Sequence, residues 1–184
     1  MRTHGGDFVD SFSPPRLRRV LKSDLAAIAE LEATAFGTNS LTRSALDVIF
    51  DPCGNLWLLA EDDEGVWGHS VNAHGEDPRV GWILGMAIHP DRQWQGWGRA
   101  LLQATIERLS DFDMDVIRLL VSPTNKIARR LYESFGFLDT GKRADHFGSG
   151  EDRLVMSLLL NARRQPVPGP LVPQVPLDPD EDFG

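Results

Sequence analysis

Between residues 15 and 164, short apolar runs alternate with longer segments whose apolar positions recur every three or four residues, the signatures of strands and helices in turn. RLRRVL at 16–21 predicts a short strand, and Ser23-Asp24 supplies an N-cap for a helix with Ala27, Ile28, Leu31 and Ala35 on one stripe. A second helix is expected over 41–50, stopping before the turn residues Asp51-Pro52-Cys53-Gly54. LWLLAE (56–61), VWGHSVNA (66–73) and RVGWILGMAI (79–88) read as three strands separated by turn residues. The helical period returns past Gly98, with Leu102, Ile106 and Leu109 on one face. VIRLLV (116–121) predicts a strand, and a helix over 125–135 is closed by Gly136 as its C-terminal cap. FLDTG (137–141) and RLVMSLLL (153–160) complete the set. The predicted order is βααβββαβαββ without internal repeat, an α/β (α+β) class built around one core.

The two ends break this pattern. Residues 1–14 carry no periodicity, and 165–184, QPVPGPLVPQVPLDPDEDFG, has proline at every second or third position, so both are expected to be disordered around a domain at 15–164. The formal charge of −8 is uneven, because Asp178, Asp180, Glu181 and Asp182 crowd the last few positions. The remainder is mildly acidic and argues against general nucleic-acid affinity, although Arg16, Arg18 and Arg19 form a local basic patch or a solvated strand end. With no apolar run of about twenty residues and no apolar leader, a membrane span is excluded and a cytoplasmic location is expected. The single cysteine, Cys53, has no disulfide partner and lacks companions for a zinc site, so no metal is expected.

Candidate chemistry begins at QWQGWGRALL (93–102), where a strand runs through two glycines into a helix. Such a turn leaves unpaired amides at the positive helix end, a site suited to a diphosphate. The pattern alone also fits a tight turn with close helix packing, and neither the dinucleotide nor the nucleoside-triphosphate glycine motif is present. A second segment, SPTNKIARRLYESFGF (122–137), places Asn125, Ala128 and Tyr132 on one helix face, with Ile127, Leu131 and Phe135 able to face the core. Tyr132 is the only tyrosine; a phenol on a helix face is ordinarily a half-buried packing residue.

Together the two segments resemble the GNAT superfamily of N-acetyltransferases, which move an acetyl group from acetyl-coenzyme A to an amine. The resemblance covers about 16–160. The family signature reads here as Gln93-Trp94-Gln95-Gly96-Trp97-Gly98, preceded by a strand and Pro90, and the later motif as Asn125, Ala128, Leu131-Tyr132 and Gly136-Phe137. It implies a mixed, mostly antiparallel sheet of six to seven strands flanked by about four helices. It further implies that the amides from Trp94 to Arg99 cradle the coenzyme A pyrophosphate and that Met86-Ala87-Ile88 pairs with the pantetheine arm where the family's strands separate. One amide in that stretch would polarise the thioester carbonyl. Asn125 would touch the coenzyme and Tyr132 would act as general acid.

SDLAAIAELEATAF, LYESFGF and GEDRLVMSL look most like the RimI-like branch, which acetylates a ribosomal-protein N-terminus. That branch carries a glutamate base in a Leu-Glu-Val context, and the matching segment here is Leu119-Leu120-Val121, in which Leu120 cannot take a proton. Replacement bases are Glu32, His69, His74, Asp145, His146 or Glu151, a water relay, or capture of the neutral fraction of the amine. An α-amino group of pKa ~8 is ~10% neutral at pH 7, far more than a lysine. The expected acceptor is therefore a peptide N-terminus. The alternatives are a small amine such as a polyamine, aminoglycoside or metabolite, or a catalytically weak coenzyme-binding module. A monomer or homodimer is expected.

Overall fold

The computed structural model describes residues 15–160. The segments 1–14 and 165–184, expected to be disordered, lie outside the described residues. Seven strands form one sheet in the order β1-β2-β3-β4-β5-β7-β6: β1 (Arg16–Arg19), β2 (Leu58–Asp62), β3 (Gly65–His74), β4 (Val80–Ile88), β5 (Val116–Val121), β6 (Leu138–Arg143) and β7 (Arg153–Leu159). All pairings are antiparallel except β4 with β5. Four helices flank it: α1 (Leu25–Phe36), α2 (Arg43–Cys53), α3 (Trp97–Asp111) and α4 (Lys126–Glu133). Order, class and strand count match the sequence reading.

The main core joins Leu25 and Ile28 of α1, Leu46 of α2, Leu102, Ile106 and Leu109 of α3, and Tyr132 of α4 with the sheet residues Leu59, Val71, Ile83, Ile117, Leu119 and Met156. A smaller cluster gathers Leu17, Leu58, Ala60, Trp67, Ile88 and Leu101. The basic patch at the first strand is largely neutralised: Arg18 donates to both Asp24 and Glu61, and Arg16 to Glu61.

Several local expectations need correction. Asp24 does not cap α1 through its side chain; it accepts the Leu21 N–H at 2.7 Å and pairs with Arg18. The buried stripe of α1 is Leu25, Ile28, Leu31 and Glu32, with Ala35 exposed. Helix α2 runs through Pro52 to Cys53, because a proline in the last turn forfeits little of the helical ladder. In α4, Ile127 is 63% exposed, and the inward face is Ala128, Leu131, Tyr132 and Phe135, the latter just past the helix end.

One irregularity positions the site. Asn72 faces Ile83 and Val71 faces Gly85, so Leu84 is an extra, bulged residue in β4. The parallel pairing of β4 with β5 covers only Val80–Ile83 against Val116–Leu119, and past it the two strands part. Leu120 and Val121 stay with β7, while Met86, Ala87 and Ile88 stay with β3. The β4 edge from the bulge to Ile88 is thus open toward β5, with backbone donors and acceptors unused by the sheet.

Candidate active site

The open edge leads directly into the glycine turn. Gly96 is the N-cap of α3 with φ +88°, a left-handed conformation that a side chain strains, and nothing lies within 4 Å of where its Cβ would stand. Glycine is needed there for the backbone conformation and not for space. Gly98 has no such need, since an added Cβ would meet Leu131 at an ordinary 3.8 Å.

Two of the backbone amides between Gln93 and Arg99 already have partners. The Gln93 amide donates to Pro90 and the Arg99 amide to Gly96, so both are consumed within the turn. The Gln93 side chain donates from Nε2 to the Ile88 carbonyl at 3.0 Å, pinning the turn to the end of β4. Arg99 donates to Ser134 Oγ at 2.7 Å and stacks 4.7 Å over the Phe135 ring, tying α3 to α4. Among the described residues, the amides of Trp94, Gln95, Gly96, Trp97 and Gly98 make no hydrogen bond to other backbone or side-chain groups. Trp97 rests tilted on Trp67 with ring centroids 5.1 Å apart, while Trp94 is 80% exposed with φ +64°.

On α4, Asn125 is the N-cap, its Oδ1 accepting the Ala128 N–H at 3.0 Å. Only its Nδ2 end is left to donate to a ligand. Tyr132 is 9% exposed beside Phe137, and burial pushes its phenol up to about 12. The phenol therefore holds its proton at neutral pH.

The proposed bases separate clearly. Leu120, facing Val155 across β5 and β7, offers no proton acceptor. His74 lies exposed at the end of β3 against Phe112. Asp145, His146 and Glu151 are exposed in the β6–β7 turn, where Asp145 Oδ1 accepts the Gly150 N–H and Glu151 pairs with Arg153. Glu32 and His69, 37 positions apart in sequence, are brought together in the interior, Oε1 to Nε2 at 3.1 Å.

Both lie on the sheet face that α1 covers. Gly85 looks toward Glu32, and the register carries that face through Val71 to His69 and Ala87, and through Ala73 to Trp82 and Arg118. Along this face, beyond the helices, a cleft of about 650 Å³ opens between Trp82, Arg118, Arg143, Ser157 and Leu159. Arg143 stacks 5.2 Å over the Trp82 ring. Among the described residues, no cluster of three or more metal-ligating side chains occurs, and no helix is long and apolar enough to cross a membrane.

A split mixed sheet whose open strand feeds a helix N-terminus, with a protonated phenol on the next helix, is the architecture of an acyl-coenzyme A binding fold. Residues 25–137 match the acetyltransferase (GNAT) family, and the chain belongs to that family. It is similar to a mycothiol acetyltransferase of Kocuria rhizophila, 37% identical over 93 residues, covering 48% of this chain and 31% of that protein. It is also similar to a putative [ribosomal protein bS18]-alanine N-acetyltransferase of Bacillus subtilis, 25% identical over 153 residues, covering 79% of this chain and 95% of the relative. Among solved structures it shares the fold of yncA, a putative acetyltransferase from Salmonella typhimurium with its cofactor acetyl-CoA (TM-score 0.67, 22% identity, 83% of this chain and 98% of that one). The chain thus spans only about a third of the mycothiol acetyltransferase it matches.

Proposed function

We propose that the protein is an acetyl-coenzyme A dependent N-acetyltransferase whose acceptor is a peptide or protein N-terminal α-amino group. The observation that carries the reading is the continuity of the open β4 edge with the unpaired amides at 94–98. An extended amide-bearing chain can pair with the edge as an added strand while its diphosphate meets the amides and the helix dipole. The family membership and the acetyl-CoA in the Salmonella neighbour support the choice of that ligand.

In this reading acetyl-coenzyme A supplies the activated acyl group. Open amides of β4 at Met86 to Ile88 hold the donor and polarise its carbonyl, and Nδ2 of Asn125 adds a side-chain donor. The Tyr132 phenol, protonated throughout the neutral range, gives its proton to the departing sulfur. The acceptor lies along the cleft beside Trp82, on the same sheet face as Gly85.

A peptide acceptor is favoured because the likeness to the Bacillus relative runs through nearly all of that protein. The higher identity to the Kocuria mycothiol acetyltransferase over a shorter stretch supports a small-molecule acceptor, here a small amine, as the second reading. The test is acetyl transfer, followed by mass spectrometry, to a panel of peptides with free N-termini and of small amines, with coenzyme binding followed by thermal shift. Native-state ligands raise the melting temperature. Absence of a shift at millimolar acetyl-coenzyme A sinks the reading. Transfer to small amines alone replaces the peptide acceptor with the second reading, and binding without any transfer makes the protein a coenzyme-binding module.

A further inference from the structure

Glu32 and His69 are 1% and 0% exposed, and Oε1 of the one approaches Nε2 of the other at 3.1 Å. Glu32 Oε2 accepts the Leu41 N–H at 2.8 Å. The other three polar atoms, Glu32 Oε1 and both His69 ring nitrogens, are buried without a hydrogen bond. Interiors rarely leave such atoms unsatisfied, because an unmade bond leaves the desolvation of the group uncompensated. A packing role would be served better by apolar side chains, as buried pairs replaced by hydrophobic residues often show.

The location supplies the reason. Oε1 stands 2.8 Å from where a Cβ on Gly85 would be, so the carboxylate fills the space over the glycine that follows the bulge, where the open edge of β4 begins. His69 stands opposite Leu59 of β2 and Ala87 of β4 in the sheet, and Leu41, from the segment after α1, lies with Glu32 over Gly85.

We propose that Glu32 is the proton acceptor for the incoming ammonium, with His69 as its positioning residue. The inference rests on the acetyltransferase reading above. One N–H bond of R–NH3+ breaks, and its proton passes through one water to Oε1. The freed nitrogen lone pair forms the C–N bond, the C–S bond breaks with its electrons leaving on sulfur, and sulfur takes the Tyr132 proton. The second surplus proton on nitrogen returns to the Tyr132 oxygen, and Glu32 releases its own to solvent. The products are the N-acetyl amide, the thiol and one proton. The carboxylate thus stands in for the glutamate that Leu120 replaces, reaching the acceptor from α1 instead of from β5.

The test compares wild type, Glu32→Gln and His69→Gln on two probes of similar size: an alanine-led peptide, and the same peptide with an aminooxyacetyl group in place of the alanine, which is uncharged at neutral pH. Glutamine keeps an oxygen for the Leu41 N–H. Glu32→Gln should lower kcat on the alanine peptide by roughly 100-fold or more and steepen its dependence on pH, since hydroxide must then remove the proton. On the aminooxy peptide the loss should be several-fold at most. His69→Gln should give a smaller loss in the same direction. Calorimetric affinity for acetyl-coenzyme A and the melting temperature, read without turnover, should show both variants folded and binding like wild type. Equal losses on both probes, or no loss on the alanine peptide, overturn the inference while leaving the acetyltransferase reading in place. So does a collapse of coenzyme affinity or of the melting temperature, which would make the pair structural. A wild type that fails to bind acetyl-coenzyme A fails the underlying reading, and this inference falls with it.

Discussion

The phenol of Tyr132 offers the sharpest test, because the chain has one tyrosine and its phenolate band in the ultraviolet therefore reports that group alone. Burial lifts it from 10.0 to about 12, so ionisation is disfavoured in the folded protein by about 3 kcal/mol at ~1.4 kcal/mol per unit. The sign follows from linkage. Above pH 10 the unfolded chain has lost the phenolic proton while the native one keeps it, so the group contributes stability fully below about pH 10 and loses it as pH climbs toward 12. A spectrophotometric titration of native protein should show a midpoint near 12, against ~10 in denaturant. Denaturant melts across this range should give wild type a steeper loss of stability than Tyr132→Phe, which has nothing to ionise. The same substitution should leave coenzyme affinity in place and reduce turnover by roughly 100-fold or more. A native midpoint near the denatured value, with the fold intact, would place the phenol in water and refute its role as a donor held protonated by the core.

Three further predictions concern the frame of the site. Gly96→Ala should destabilise by ~1–2 kcal/mol from the left-handed φ alone and weaken acetyl-coenzyme A, whereas Gly98→Ala, in helical backbone with room for a methyl, should stabilise by ~0.5–1 kcal/mol. Chemical denaturation and calorimetry of the two variants check this, and a reversed order refutes it. Gly85→Ala puts a methyl within 2.8 Å of Glu32 Oε1, so the carboxylate must shift, and kcat should drop more than coenzyme affinity does. Unchanged kcat in that variant would separate Glu32 from the chemistry. The Arg18 guanidinium holds Glu61 below the usual carboxylate range; at Asp24 burial acts upward, and the Arg18 and Leu21 hydrogen bonds outweigh it. Both carboxylates therefore contribute stability above their unfolded values and lose it as pH falls. Arg18→Gln should destabilise by ~1–3 kcal/mol at pH 7, with the gap to wild type closing in acid, as melts across pH would show.

What the chain alone determined is local. The strand at 116–121 matches β5 residue for residue, and the other elements fall within a few residues of their expected places, because a period of two or of 3.6 is written in consecutive side chains. The glycine turn and the capped helix carrying Tyr132 were legible for the same reason: Gly96 and Asn125 act on backbone within three residues of themselves.

Which polar residues go inside was decided by tertiary packing. Glu32 lies four positions after Ile28 and so falls on the buried stripe, and His69 lies two before Val71 on the same strand face; both signals were present in the spacing. Spacing puts a residue on a face but cannot say what the opposite element brings to it. The 3.1 Å meeting of Oε1 and Nε2 depends on where α1 crosses β3, and on a bare Gly85 that leaves the carboxylate its space. Ile127 shows the converse, an apolar residue left outward because the sheet beneath α4 is filled by Leu131, Tyr132 and Phe135. The parting of β4 from β5 likewise required the bulge at Leu84, whose extra residue is visible only once the register with β3 is known.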